Sequence, residues 1–233
     1  MGIYDYYDSV PYRITPFVPG ETYHIFNRSI ARQPIFKQKR DYQRIIDLVN
    51  YYRFTKPPLR FSHYNRLPED KREQYSSTHL VNNKLMLDIH AYCIMPNHFH
   101  FLISPKTTLA VSDFMRNIQN AYSKYFNMKY KRTGSLFQFM FKAVRVESDE
   151  QMMHTSRYIH LNPVTSFQIQ ISDLDNYPYS SFKNYVLDNN LSPMIKSDLI
   201  LSYFKSKKSY RSFVYDQVDY QQTLSKIKHL EFD

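Results

Sequence analysis

Apolar positions along the chain change period in a definite order. From Gly20 to Arg28, GETYHIFNR alternates as a half-buried strand does, with Tyr23, Ile25 and Asn27 on one face. Tyr42, Ile45, Ile46, Val49 and Tyr52 then recur at helical spacing and predict an amphipathic helix of about four turns. Residues 55–84 are polar, begin with Pro57-Pro58 and contain Pro68-Glu69-Asp70, which predicts a surface insertion with a short helix after Pro68. LMLDIHAYCIM (85–95) predicts a second strand, Pro96-Asn97 a tight turn, and HFHFLIS a third strand, so that a hairpin forms. Val111, Phe114, Met115, Ile118, Tyr122, Tyr125 and Phe126 describe a long helix over 109–130. Lys129, Lys131 and Arg132 load its C-terminal end, where they suit the helix dipole or contact phosphate. LFQFMFKAVRV (136–146) predicts a fourth strand. Ser148 is a natural N-cap for the next helix, with Gln151 placed for a capping box, and Pro163 is expected to stop that helix after about Leu161.

The order β, α, β, β, α, β is that of an α+β, ferredoxin-like βαββαβ core with an antiparallel sheet and helices on one face. The helix that follows is extra, and it lies across the other face or an edge. NYPYSSFKNYV (176–186) is aromatic and turn-rich. Residues 197–227 predict one or two weak helices anchored by Leu199, Tyr203, Phe204, Phe213 and Val214. The expected organisation is an extended N-terminal arm over 1–19, a domain over 20–187 and a C-terminal helical extension over 188–233.

Composition narrows the classes. Among 233 residues, 42% are hydrophobic, enough for a real core, yet no apolar run approaches the ~20 residues of a membrane span. The N-terminus MGIYDYYDSV lacks the basic and apolar regions of a signal peptide, and Tyr6 stands where a myristoylation motif has Ser or Thr. A single cysteine, Cys93, excludes an internal disulfide and any zinc site needing two or more cysteines. A cytoplasmic protein is expected. Lys+Arg 31 against Asp+Glu 21 gives a net charge of +10, and 22 tyrosines with 17 phenylalanines accompany it. Cations meet phosphates and aromatic faces stack on unpaired bases, so nucleic acid is the expected partner.

Candidate chemistry sits in two places. In MPNHFHFLI (95–103), His98 and His100 share one face of a strand, about 7 Å apart at their origins, while Phe99 points to the opposite layer. Such a pair either holds one metal ion or is two half-buried histidines with ordinary hydrogen bonds. In HTSRYIHLNPV (154–164), His154, Tyr158 and Asn162 form one polar stripe, and Met152 and Ile159 face elsewhere, toward a core. The phenol of Tyr158 is a potential nucleophile and the carbonyl oxygen of Asn162 a potential metal ligand. The competing reading is a surface tyrosine followed by a helix-ending Asn-Pro. Tyr122 and Tyr125 are rival nucleophiles, but they follow the apolar spacing of their helix and read as packing.

MPNHFHFLI, a long helix, GSLFQFMFKAV, RYIHLNPV and YPYSSFKNY, in this order, resemble the single-tyrosine HUH transposases, which include those of the smallest insertion sequences and the REP-associated tyrosine transposases. The resemblance covers about 20–187, and YHIFNR fits it too. It implies that Tyr158 is the nucleophile, that His98, His100 and Asn162 are ligands of Mg²⁺ or Mn²⁺, and that single-stranded DNA is cleaved and rejoined through a 5′-phosphotyrosine. Imidazole chemistry alone suits Zn²⁺ or Ni²⁺ as well. The implied substrate is single-stranded DNA flanking a hairpin, with Arg28, Arg32, Lys142 and Arg145 as candidate backbone contacts. Relatives act as monomers or homodimers. Two departures stand out: Phe139 and Met140 replace a Gly-Arg pair, and Ser29 replaces a glycine. A hairpin DNA- or RNA-binding protein without transposition, and an HUH replication initiator or relaxase, are the alternatives.

Overall fold

A computed structural model describes residues 16–55, 57–80, 84–188 and 192–218. Strand β1 (Thr22–Arg28) leads to helix α1 (Lys39–Tyr52). The polar insertion carries two short helices, α2 (Phe61–Tyr64) and α3 (Glu69–Tyr75). The hairpin of β2 (Leu87–Met95) and β3 (His98–Pro105) precedes α4 (Ala110–Lys129), β4 (Lys142–Val146) and α5 (Asp149–Thr165). The four strands are antiparallel in the order β2-β3-β1-β4. This is the expected ferredoxin-like core.

Strand alternation sorts side chains into two layers. Tyr23 and Ile25 of β1 and Phe99, Phe101 and Ile103 of β3 are buried under α1 and α4, with Phe101 edge-on to Phe114 at 6.0 Å. A buried carboxylate ties these helices together. Asp41 of α1 accepts from Lys129 at 2.6 Å, Tyr125 at 2.9 Å and Tyr130 at 2.7 Å. Tyr122 is fully buried and donates its hydroxyl to the Ile35 carbonyl at 2.6 Å. Both rival tyrosines therefore serve the helical layer.

The opposite face of the sheet carries His24, Phe26 and Arg28 of β1 beside His98 and His100 of β3, and α5 packs across it. Ser148 caps α5, its hydroxyl accepting from the Gln151 amide at 3.1 Å, while the Gln151 side chain accepts from the Glu147 amide at 2.7 Å. Met152 and Ile159 are buried as their spacing implied. The outer edge of β2 is covered rather than bare: the Ile94 amide donates to the Tyr179 carbonyl at 2.9 Å and the Ser181 amide to the Tyr92 carbonyl at 3.0 Å.

Three expectations are corrected. Residues 136–141 are not strand: Leu136 and Phe137 are buried, but Phe139 is 77% exposed and Met140 has φ 59, a left-handed conformation that ends alternation. Pro163 does not stop α5, which runs on to Thr165. So near the helix end, a missing N–H costs only one helical bond, and the chain closes with the Ser166 amide on the Asn162 carbonyl at 3.0 Å. Beyond α6 (Lys183–Val186), helices α7 (Asp198–Leu201) and α8 (Lys207–Tyr215) form, but Leu199 and Tyr203 are exposed. The buried anchors are Ile200, Tyr210 and Val214. Tyr210 reaches the back of α5, donating to Ser156 Oγ at 3.0 Å and meeting His160 Nδ1 at 2.8 Å. The arm over 1–15 and the stretch 219–227 fall outside the described residues. Among the described residues, no helix is long and apolar enough to cross a membrane.

Candidate active site

The register of three elements brings the site together. Phe26 of β1 lies opposite His100, and Arg28 opposite His98. Tyr158 comes down from α5 with its ring edge-on to His100 at 5.5 Å and to His24 at 5.9 Å between centroids. Its side chain is 44% exposed, and among the described residues nothing hydrogen bonds its hydroxyl. Asn162, one helical turn on, is buried and donates Nδ2 to the Tyr158 carbonyl at 3.4 Å. Its Oδ1 lies 3.4 Å from His98 Nε2. His98, His100, Tyr158 and Asn162 thus share one locus.

Hydrogen bonding decides which histidine nitrogens face that locus. Asn97 donates Nδ2 to the Arg32 carbonyl at 2.9 Å, which turns its Oδ1 toward His98 Nδ1 at 2.6 Å. Asn97 Oδ1, at 2.6 Å, and Asn162 Oδ1, at 3.4 Å, both only accept, and the shorter contact takes the His98 proton on Nδ1, which leaves a lone pair on Nε2. That lone pair faces the Asn162 oxygen, another acceptor, across 3.4 Å. Two acceptors aimed at each other are repulsive unless a cation lies between them. His100 Nδ1 lies 2.9 Å from His24 Nε2, so His24 can take the His100 proton and free His100 Nε2 in the same way.

Burial reinforces this. It pushes His98 down to about 4, with Arg28 adding to the effect against the Asn162 contact, and it lowers His24 to about 4. His100 is pushed well below the ordinary histidine value, by burial first and then by His98, His24 and Arg28. All three rings are neutral near pH 7, the state in which an imidazole ligates a metal. Among the described residues, no group of three or more His, Cys, Asp or Glu side chains converges as a metal site. The donor set that fits an ion is two imidazoles and the amide oxygen of Asn162.

The proposed phosphate contacts separate. Arg28 is half-buried beside His98, and Lys142 is exposed on the same face, in register with Phe26. Arg32 is exposed, with φ 54, and enters through its carbonyl bond to Asn97. Arg145 pairs in register with Tyr23, on the other face, and forms an ion pair with Glu21 at 2.8 Å. It is not at the site. His154 accepts from Arg157 at 2.6 Å, and His160 is buried between Tyr210 and Ser181, so neither reaches Tyr158 chemistry. His24 and Asn97 were not singled out from the sequence. His24 alternates against Tyr23 and Ile25, which puts it on the histidine face once β1 and β3 are neighbours.

The family model described as "Transposase IS200 like" matches residues 65–162, a span that contains His98, His100, Tyr158 and Asn162. This part of the chain is similar to that family. A solved structure titled "Structure of the REP associates tyrosine transposase bound to a REP hairpin" matches with a TM-score of 0.51 at 17% identity, covering 80% of this chain and 90% of that one. At that identity the likeness is one of fold. No curated protein matches the chain.

Proposed function

We propose that this chain cleaves and rejoins single-stranded DNA by transesterification, with Tyr158 as the nucleophile. The observation that carries the reading is the meeting of Tyr158 and Asn162 on α5 with His98 and His100 on β3, two elements about sixty residues apart in sequence. A core built only for stability has no use for two acceptors facing across 3.4 Å beside an exposed phenol.

In this reading the Tyr158 oxygen attacks a backbone phosphorus, the bond to the 3′ oxygen breaks, and the departing strand ends in a 3′-hydroxyl. The 5′-phosphate stays on Tyr158 as a phosphodiester of similar energy, so an incoming 3′-hydroxyl reverses the step without ATP. A divalent ion, Mg²⁺ or Mn²⁺ as the family implies, supplies polarisation of a non-bridging oxygen when bound. His98 Nε2, His100 Nε2 and Asn162 Oδ1 would hold it. Asn97 and His24 keep those nitrogens unprotonated and aimed. Arg28 beside His98 offers a planar cation to the scissile phosphate, and Lys142 extends positive charge along the same face.

The REP-associated transposase of like fold is bound to a REP hairpin, and a hairpin with a single-stranded flank is the substrate proposed here. The test is incubation of the full chain with single-stranded DNA from the flanks of its own gene, with and without Mn²⁺. The expected result is a metal-dependent protein–DNA adduct that survives denaturation. Binding without any adduct would replace this reading with that of a hairpin-binding protein.

A further inference from the structure

Just before β4 the chain slips its register against β1. The Gln138 amide donates to the Arg28 carbonyl at 2.8 Å, and Lys142 pairs with Phe26. From Gln138 to Lys142 the chain takes four steps where β1 takes two, from Arg28 to Phe26, so two extra residues form a bulge. Asn27 pins its start, donating Nδ2 to the Gln138 carbonyl at 3.2 Å. Within the bulge Met140 takes φ 59, a conformation that residues other than glycine rarely adopt. Such bulges re-aim side chains at sheet edges and beside active sites. On β3 Arg28 lies opposite His98 and Phe26 opposite His100, so the bulge begins level with one histidine and ends level with the other.

What the bulge presents is Phe139, 77% exposed although the same segment buries Leu136 and Phe137. Among the described residues no other ring stacks on it and no cation lies over it. Arg28 and Lys142 flank it, and neither forms an ion pair among the described residues. An open aromatic face between two unpaired cations is the pattern that holds a single strand, the cations taking phosphates and the ring taking a base. A second copy of this chain, paired along β4 at the end of the sheet, is the competing occupant. The bulge and the charged Lys142 and Arg145 disfavour it, because irregularity and charge blunt a sheet edge.

We propose that Phe139 is a stacking platform for one unpaired base of the strand that serves Tyr158, and that it thereby selects single-stranded over paired DNA at the site. The identity of that strand rests on the function proposed above. The open ring and its flanking cations do not.

The test measures binding by fluorescence anisotropy on the full chain carrying Tyr158→Phe, without metal, so that no adduct is scored. The probes are oligo-dT of about twelve nucleotides, an abasic strand of the same length and a duplex of the same length. Phe139 is exposed, so its replacement leaves the core untouched. Loss of one stacked base weakens binding by about 5- to 150-fold, which is the effect expected of Phe139→Ala on oligo-dT. Its effect on the abasic strand and the duplex should stay below about twofold. The slope of log K against log salt should not change in Phe139→Ala, whereas Lys142→Gln should lower its magnitude by ~0.7. Phe139→Trp should keep the affinity. The chain has no tryptophan of its own, so the emission of that variant should be quenched by oligo-dT and not by the abasic strand. Equal losses on oligo-dT and the abasic strand overturn the proposal. So does a lower sedimentation coefficient for Phe139→Ala with unchanged DNA affinity, which would make the bulge a contact between copies. If the Tyr158→Phe chain binds no oligo-dT at all, the function proposed above falls with the platform; if it binds and Phe139→Ala changes nothing, only the platform falls.

Discussion

Asn97 is a turn residue by appearance, yet removing its side chain should loosen the proposed metal site. Its amide is anchored at both ends, at 2.9 Å to the Arg32 carbonyl and at 2.6 Å to His98 Nδ1. Asn97→Ala frees His98 to move its proton to Nε2, the nitrogen that faces Asn162, and to rotate. Loss of such an orienting partner typically costs 10- to 100-fold in metal affinity, which is about 1.4–2.7 kcal/mol. Stability should change little. Asn97 lies outside the positive-φ residues, so alanine brings no backbone strain, and water can reach the freed carbonyl at a cost of less than about 1 kcal/mol. Asn97→Asp keeps the acceptor toward His98 and should restore most of the affinity. The assay is Mn²⁺ titration followed by electron paramagnetic resonance, with the His98 tautomer read from ¹⁵N chemical shifts. Affinity of Asn97→Ala within twofold of wild type, or a His98 ring already protonated on Nε2, would refute the reasoning.

Other outcomes follow from the same structure. His100→Ala should abolish metal-dependent cleavage, and cleavage by wild type should stop in excess chelator; cleavage that persists in both would remove the metal from the account. Burial pushes the Asp41 carboxyl up, but hydrogen bonds from Lys129, Tyr130, Tyr125 and the Lys37 amide outweigh it and hold the group below the usual carboxylate range. Its stabilisation is therefore complete above the unfolded carboxylate value near 4 and is lost as pH falls through the lower folded value. Asp41→Asn should cost about 3–5 kcal/mol at pH 7 and flatten the acid limb of a denaturation series. Tyr210→Phe leaves the buried Nδ1 of His160 without its partner, Ser181 still holding Nε2, and should cost about 1–3 kcal/mol in urea melts while the shape of the metal titration stays the same.

The layered core was legible because each element carried an unambiguous period. The strand–helix–hairpin–helix–strand order, Phe99 pointing into the helical layer, and the stripe of Tyr158 and Asn162 all follow from spacing alone. Geometry between distant elements was not. His24 looks like one polar position in an alternating strand, and only the pairing of β1 with β3 sets it against His100. Asn97 looks like turn chemistry until the chain around Arg32 folds back to anchor its amide. The apolar run 136–141 mimics a strand, and nothing in its composition announces the left-handed Met140 that breaks it. Arg145 looked like a phosphate contact because charge says nothing of facing; a parity of one residue along β4 turns it away from the site. Tyr210 was missed because the weak helical pattern of the extension offered several equally apolar anchors, and the choice among them was made by polar groups on α5.

The central claim is that one phenol, Tyr158, forms the covalent bond to DNA. Its most direct measurement is peptide mapping of the adduct by mass spectrometry after nuclease digestion, with Tyr158→Phe run in parallel. The account predicts a 5′-phosphonucleotide on the peptide that carries Tyr158 and no adduct from the folded variant. An adduct on another tyrosine, or normal adduct formation by Tyr158→Phe, would contradict it.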